Sequence, residues 1–98
     1  MKLNMKNKLV LIRADRSGVH IGYLVYQEGR EVHLSRARRI WSWKGALSVH
    51  EIANKGIDLK YSKISCETEE IILPTMIETH LVTKESNINE LYKKIILA

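Results

Sequence analysis

The chain has 98 residues, of which 45% are hydrophobic and 28% are charged. This length favours one domain, predicted over residues 1–98, and excludes a second, since a domain usually takes on the order of 100 residues. The composition excludes a disordered chain, and the net charge of +5 favours an acidic or phosphate-bearing partner. The single cysteine excludes an internal disulfide, so a reducing, cytoplasmic location is expected.

The N-terminal segment carries no signal for membrane insertion. Residues 1–8 are polar and basic, and the apolar run behind them covers only residues 9–12. A signal peptide needs roughly 7–15 apolar residues, and a membrane span needs roughly 20. We therefore expect no membrane among the partners of this protein.

Positive charge is concentrated in the first two-thirds of the chain. Residues 1–66 contain 13 Lys or Arg and 5 Asp or Glu, whereas residues 67–98 contain 3 and 6. The densest basic stretch, residues 30–44, would attract nucleotides, nucleic acid or another acidic partner. The alternatives are a solvated surface, or a basic face that pairs with the acidic segment of the same or a neighbouring copy.

The first third of the chain has the pattern of antiparallel strands. Residues 8–14 and 19–26 are nearly continuous apolar runs joined by a polar turn, which predicts two strands. Residues 31–34 alternate polar and apolar side chains, which predicts a third strand. Gly22 lies inside the second strand and predicts a bulge or a close approach by another backbone.

Two later segments carry helix signals. Ser48 and Glu51 match a capping box and Gly56 supplies a stop, so a helix is predicted at about residues 49–55. A second helix is predicted from about residue 86 to the C-terminus, where apolar residues recur at spacings of three and four. These residues are Ile88, Leu91, Tyr92, Ile95 and Ile96.

The segments between the helices favour strands. Residues 57–64 alternate, and residues 70–83 are rich in β-branched side chains but broken by Pro74. Proline donates no ladder hydrogen bond, so an edge strand or a bulge between two short strands is expected there. The expected fold class is α+β, a mostly antiparallel small sheet or partial barrel with one short inserted helix and a C-terminal helix.

Residues 37–46, ARRIWSWKGA, are the candidate binding segment. Arginine offers a planar fork of donors for phosphate oxygens, and tryptophan offers a flat face on which a base stacks. In an extended segment, Arg39, Trp41 and Trp43 would share one face and Arg38 the other. These four residues and Lys44 are the predicted ligand-binding set. The alternative is that one or both tryptophans fill the core or a subunit interface.

His20 joins that set because Gly18 and Gly22 flank it, and two glycines could bring backbone amides close to an anion. A hairpin turn explains Gly18 equally well. The four histidines occur singly on different predicted elements, so neither a metal nor a cofactor is expected. Cys66 has the context of an ordinary thiol, and no catalytic constellation is recognisable, so the protein is not expected to be an enzyme.

The order of these motifs resembles a known pattern. SGVHIG at residues 17–22, REV at residues 30–32 and ARRIWSWKGA at residues 37–46 are similar to SxGVHxG…REVxLxxARRIWxWxGA. That pattern belongs to an uncharacterised family of small proteins from tailed bacteriophages and prophages, and the resemblance covers about residues 9–85. It implies a phage-encoded intracellular protein that acts on its host, and it says nothing about chemistry.

Together these observations predict a non-enzymatic binding protein that captures a phosphate-bearing nucleotide signal, such as a cyclic nucleotide, and so blunts a host defence. A homo-oligomer is expected, because a site between subunits would supply the depth that one small domain lacks. The alternatives are a nucleic-acid-binding protein, an inhibitor of a host enzyme that handles nucleic acid, and a virion or assembly component.

Overall fold

Antiparallel strands are the main regular structure of the computed structural model, which describes residues 6–16 and 18–92. The strands are β1 (Leu9–Ala14), β2 (Gly18–Glu28), β3 (Glu31–Ser42), β4 (Lys63–Ile64), β5 (Thr68–Leu73) and β6 (Met76–Leu81). One sheet holds them in the order β4-β3-β2-β1-β6, and β5 also pairs with β3. The helical elements are α1 (Val49–Asn54) and a 3₁₀ turn at Asn87–Asn89.

The expected α+β class is wrong, because the described residues are predominantly β, an open six-stranded sheet with two very short helical elements. β3 is 12 residues long, far beyond the predicted residues 31–34, since it pairs with β2 on one side and with β5 and β4 on the other. The predicted C-terminal helix begins as the 3₁₀ turn, with Ser86 as its N-cap. Ile95 and Ile96 lie outside the described residues.

β1 is buried on both faces. Leu9 and Leu11 belong to a first core that includes α1 and the 3₁₀ turn, whereas Val10 and Ile12 belong to a second core on the opposite face. Side chains alternate along a strand, so a strand covered on both faces carries an unbroken apolar run. Burial on both faces therefore explains the unbroken apolar sequence LVLI at residues 9–12.

A β-bulge in β3 lies opposite Gly22, as the glycine predicted. The β2–β3 register is interrupted there, so Arg36 and Ala37 together face Gly22. Arg36 has a φ of 52°, and a Cβ on Gly22 would lie 3.0 Å from Leu34 Cβ and 3.3 Å from Ala37 Cα. The bulge directs both Leu34 and Ala37 into the second core. It therefore sets which face each later residue of β3 occupies.

α1 confirms the predicted inserted helix and closes the first core. Ser48 Oγ accepts the Glu51 N–H at 3.4 Å, whereas the Glu51 carboxylate accepts the Leu47 N–H at 3.0 Å rather than the amide of the serine. Gly56, at a φ of 95°, follows the last turn. The helix packs over the sheet, and the loops on either side of it run beside the end of β3.

Candidate functional site

Near its end, β3 presents an arginine and a tryptophan side by side. Arg39 and Trp41 are two residues apart on the strand, so their side chains share a face. The guanidinium carbon of Arg39 lies 4.2 Å from the centroid of the Trp41 ring, and Trp41 is 61% exposed. Stacking holds a guanidinium by its flat face and leaves its in-plane N–H donors for other partners. An exposed indole and a guanidinium stacked on it therefore lie together near the end of β3.

Ser65, just after β4, fixes the backbone of Arg39. The Arg39 N–H donates to Ser65 Oγ at 2.8 Å, and the Ser65 N–H donates to the Arg39 carbonyl at 2.8 Å. On β2, a Cβ at Gly18 would lie 3.3 Å from Arg39 Nη2, so the glycine leaves room for the guanidinium. These contacts fix the backbone of Arg39 and leave space for its guanidinium beside Gly18.

His20 occupies the interior below this pair. It is the cross-strand partner of Arg39 and pairs with Ile12 on its other side, and it is only 3% exposed. The structure therefore places His20 on the same face as Arg39 but away from solvent. A surface ligand would meet Arg39 and Trp41 and would not meet this ring.

Arg38 points to the opposite face and belongs to a different cluster. Its guanidinium carbon lies 5.7 Å from the centroid of the Tyr92 ring, and its Nη1 donates to the Ser65 carbonyl at 3.2 Å. The guanidinium carbon of Arg36 lies 5.3 Å from the centroid of the same ring, and Arg36 Nε lies 3.4 Å from Glu67 Oε1. Among the described residues, no hydrogen-bond partner meets the buried Arg36 Nη2 or Arg38 Nε. The two neighbouring arginines thus do not form one site.

Tyr92 is the centre of that second cluster. Its hydroxyl donates to the Arg36 carbonyl at 2.9 Å and lies 3.2 Å from the Ile21 carbonyl. Burial raises the pKa of the Tyr92 phenol well above its ordinary value, and nearby Arg38 opposes the shift. The cluster fastens the C-terminal part of the described chain to the bulge in β3.

Trp43 and Lys44 follow the end of β3, and their side chains lie in different environments. Trp43 is partly buried against the first core, and its Nε1 donates to the Ala46 carbonyl at 3.2 Å. It therefore takes the core position that the sequence left open as an alternative. Lys44 is exposed, and its backbone N–H donates to Ser62 Oγ at 3.1 Å. The predicted shared face of Arg39, Trp41 and Trp43 extends only as far as Trp41.

A second exposed aromatic ring, which the sequence analysis did not single out, lies in the loop before β4. Tyr61 is 62% exposed, and Lys60 Nζ lies 5.4 Å from the centroid of its ring. Residues 57–64 were predicted as an alternating strand, but only Lys63–Ile64 pairs. The signal that could have found the turn is Asp58, whose side chain accepts backbone N–H groups two and three residues on.

Acidic, histidine and cysteine side chains are dispersed. Across residues 6–16 and 18–92, no three or more of them gather where they could hold a metal ion. Cys66 is a free, exposed thiol. In the same described ranges, no helix has both the length and the apolar character needed to cross a membrane.

Comparison with known proteins gives a family and no activity. A family model described as "Domain of unknown function (DUF6948)" matches residues 7–89. Neither a curated protein nor a solved structure matches the chain significantly. Since the family model spans most of the sequence, the expectation of an uncharacterised family is confirmed at that level. The chain belongs to the family of the domain of unknown function DUF6948.

Proposed function

We propose that this chain is a non-enzymatic binding protein that captures a phosphate-bearing nucleotide through Arg39 and Trp41. The observation that carries the proposal is the exposed indole with a guanidinium 4.2 Å from its centroid. A base stacked on an aromatic ring contributes about 1–3 kcal/mol, and a guanidinium forms charge-assisted hydrogen bonds with phosphate. A ligand with both a base and a phosphate would engage both side chains at once.

The proposed biological setting follows the resemblance to bacteriophage proteins. In that setting the protein sequesters a nucleotide signal of host defence, such as a cyclic nucleotide, in the cytoplasm of the infected cell. Sequestration requires affinity alone. The proposal includes a homo-oligomer, because a second copy would enclose a ligand that one exposed ring leaves open to water. Light scattering on the purified protein, with and without ligand, measures that state.

Calorimetry with a panel of cyclic dinucleotides, cyclic trinucleotides and ADP-ribose derivatives tests the proposed function. The variants are Trp41→Ala and Arg39→Gln. The control is Lys84→Gln, an exposed lysine in the loop after β6, at the far edge of the sheet from β4. We expect saturable binding of at least one compound and a loss of about tenfold or more in both variants, but not in the control.

Two results would overturn the proposal. One is the absence of heat from every compound with the wild-type protein. The other is wild-type affinity in Trp41→Ala, since a site without the indole would have no ring on which to stack a base.

A further inference from the structure

The loop between α1 and β4 holds a second aromatic ring with its own cation. Tyr61 and Lys60 repeat the arrangement of Trp41 and Arg39, an exposed ring within about 6 Å of a positive group. Proteins bind single-stranded nucleic acid by stacking its bases on exposed aromatic rings, one base per ring, while adjacent cations contact the phosphates. One such pair provides a stacking surface for the base of a mononucleotide, and two pairs provide surfaces for two bases of a longer ligand.

The turn that carries Tyr61 is held in a defined shape by Asp58. The Asp58 carboxylate accepts the Lys60 N–H at 3.0 Å and the Tyr61 N–H at 3.4 Å. Both bonds go to Oδ1 of Asp58, and they fix the backbone of the turn. The ring is therefore presented by an ordered backbone, and less side-chain and loop freedom is lost when a base stacks on it.

Hydrogen bonds also tie this loop to the segment that follows Trp41. The Asp58 N–H donates to the Lys44 carbonyl at 2.8 Å, and the Lys44 N–H donates to Ser62 Oγ at 3.1 Å. In the β3–β4 pairing, Lys63 lies opposite Ser42, the residue after Trp41. Leu59 of this loop packs against the first core, whereas Arg39 lies on the face of Ala37, which belongs to the second core. The two aromatic–cation pairs thus belong to mutually bonded stretches of chain that reach the end of β3 from opposite faces, so a ligand that contacts both must pass over the edge of the sheet there.

Charge at this end of the sheet is positive. From Arg38 to Lys63 the sequence has six Lys or Arg and two acidic side chains. Of the two, Asp58 accepts backbone N–H groups in the turn and Glu51 accepts the Leu47 N–H. Lys44, Lys60 and Lys63 are all exposed. Phosphates between successive bases would meet these ammonium groups.

We propose that Tyr61 and Lys60 extend the Arg39–Trp41 site, so that the ligand is an oligonucleotide with at least two bases joined through phosphate. This inference rests on the proposed function and narrows its ligand class. The same chemistry occurs in a cyclic dinucleotide and in a single-stranded nucleic acid, and the probes below separate these two sources.

The experiment measures the affinities of three probes: adenosine monophosphate, cyclic di-adenosine monophosphate and a short single-stranded oligothymidylate. The variants are Trp41→Ala and Tyr61→Ala. The matched control is Tyr26→Ala, another exposed tyrosine, on the distal end of β2, whose hydroxyl donates to Glu28. Thermal unfolding of each variant verifies that it is folded.

We expect Tyr61→Ala to weaken the two-base probes by about tenfold and to leave the mononucleotide unchanged, because only a second base reaches that ring. Trp41→Ala should weaken all three probes. Tighter binding of the cyclic probe identifies a compact ligand, and tighter, steeply salt-dependent binding of the oligothymidylate identifies a strand.

The inference is overturned if Tyr61→Ala and Tyr26→Ala have the same affinities for both two-base probes while Trp41→Ala is weakened. In that case the site ends at Trp41 and the proposed function stands. If Trp41→Ala matches the wild type on every probe that binds, the proposed function and this extension both fail. If the wild type binds none of the three probes, the extension fails, and the calorimetry panel described above decides the proposed function.

Discussion

Arg38 and Arg39 are consecutive in sequence, yet their guanidinium groups lie on opposite faces of β3. Arg39 stacks on the exposed Trp41, whereas Arg38 lies over the ring of Tyr92 and donates to the Ser65 carbonyl. The bulge at Arg36 sets this division, because it fixes which residues of β3 point into the second core. One arginine therefore lies beside an exposed indole, where the proposed ligand would bind, and the other packs against a buried tyrosine.

The two arginines should respond differently to substitution. We expect Arg38→Gln to lower the free energy of unfolding by about 1–2 kcal/mol, because it removes a hydrogen bond and a partly buried cation–π contact. Arg39→Gln should cost less than about 1 kcal/mol but weaken nucleotide binding. Urea denaturation and calorimetry measure the two effects. Equal losses of stability in both variants would contradict the different roles assigned to Arg38 and Arg39.

Substitution of the two tryptophans should also change stability by different amounts. Trp43→Ala removes a ring packed against the first core and should destabilise by about 2–3 kcal/mol, below the range for a fully buried tryptophan. Trp41→Ala should change stability by less than about 1 kcal/mol, because its ring is mostly in water. Urea midpoints and slopes provide the comparison, and a larger loss in Trp41→Ala would refute this assignment.

Gly22→Ala should destabilise the sheet at the bulge. The added methyl group would approach Leu34 Cβ and the Ser35 carbonyl at 3.0 and 3.1 Å, and both belong to the paired strand. Overpacking of this kind costs about 1–3 kcal/mol. Thermal unfolding measures the loss. A variant as stable as the wild type would show that the two strands separate easily at this point.

Stability should fall at high pH through Tyr92. Burial raises the pKa of the folded-state phenol above the ordinary value of about 10. The contribution is therefore fully present below pH 10 and is lost as the pH rises above it, because the unfolded chain releases the proton first. We expect the free energy of unfolding to fall less steeply above about pH 10 in Tyr92→Phe than in the wild type. Parallel curves in alkaline denaturation would rule this out.

Much of the fold can be predicted from local patterns. The apolar runs of β1 and β2, the Ser48 cap and Gly22 each carry a signal that acts over a few residues. The length of β3 could not be predicted, because arginines surround the buried Ala37 and Ile40 and the bulge breaks the alternation, so pairing with β2, β4 and β5 holds this half of the strand. Strand pairing between distant segments has no local signature. The fold class was wrong for another reason: the described helical elements, a six-residue helix and a three-residue 3₁₀ turn, are too short for an α+β fold.

The candidate site was predictable only in part. The alternation of side chains along a strand places Arg39 beside Trp41, as the structure shows. The same rule fails for Trp43, because β3 ends at Ser42 and the chain turns toward the first core. Tyr61 could not be found by alternation, since a turn around Asp58 presents it.

The fluorescence of Trp41 alone tests the central claim most directly. The chain has two tryptophans, so Trp43→Phe leaves Trp41 as the only indole, and Trp41→Phe provides the control with Trp43 alone. Each variant is titrated with the tightest-binding nucleotide from calorimetry. A base stacked on Trp41 should quench the emission of Trp43→Phe saturably and leave that of Trp41→Phe unchanged. Unchanged emission from Trp41 at saturating nucleotide would contradict the account.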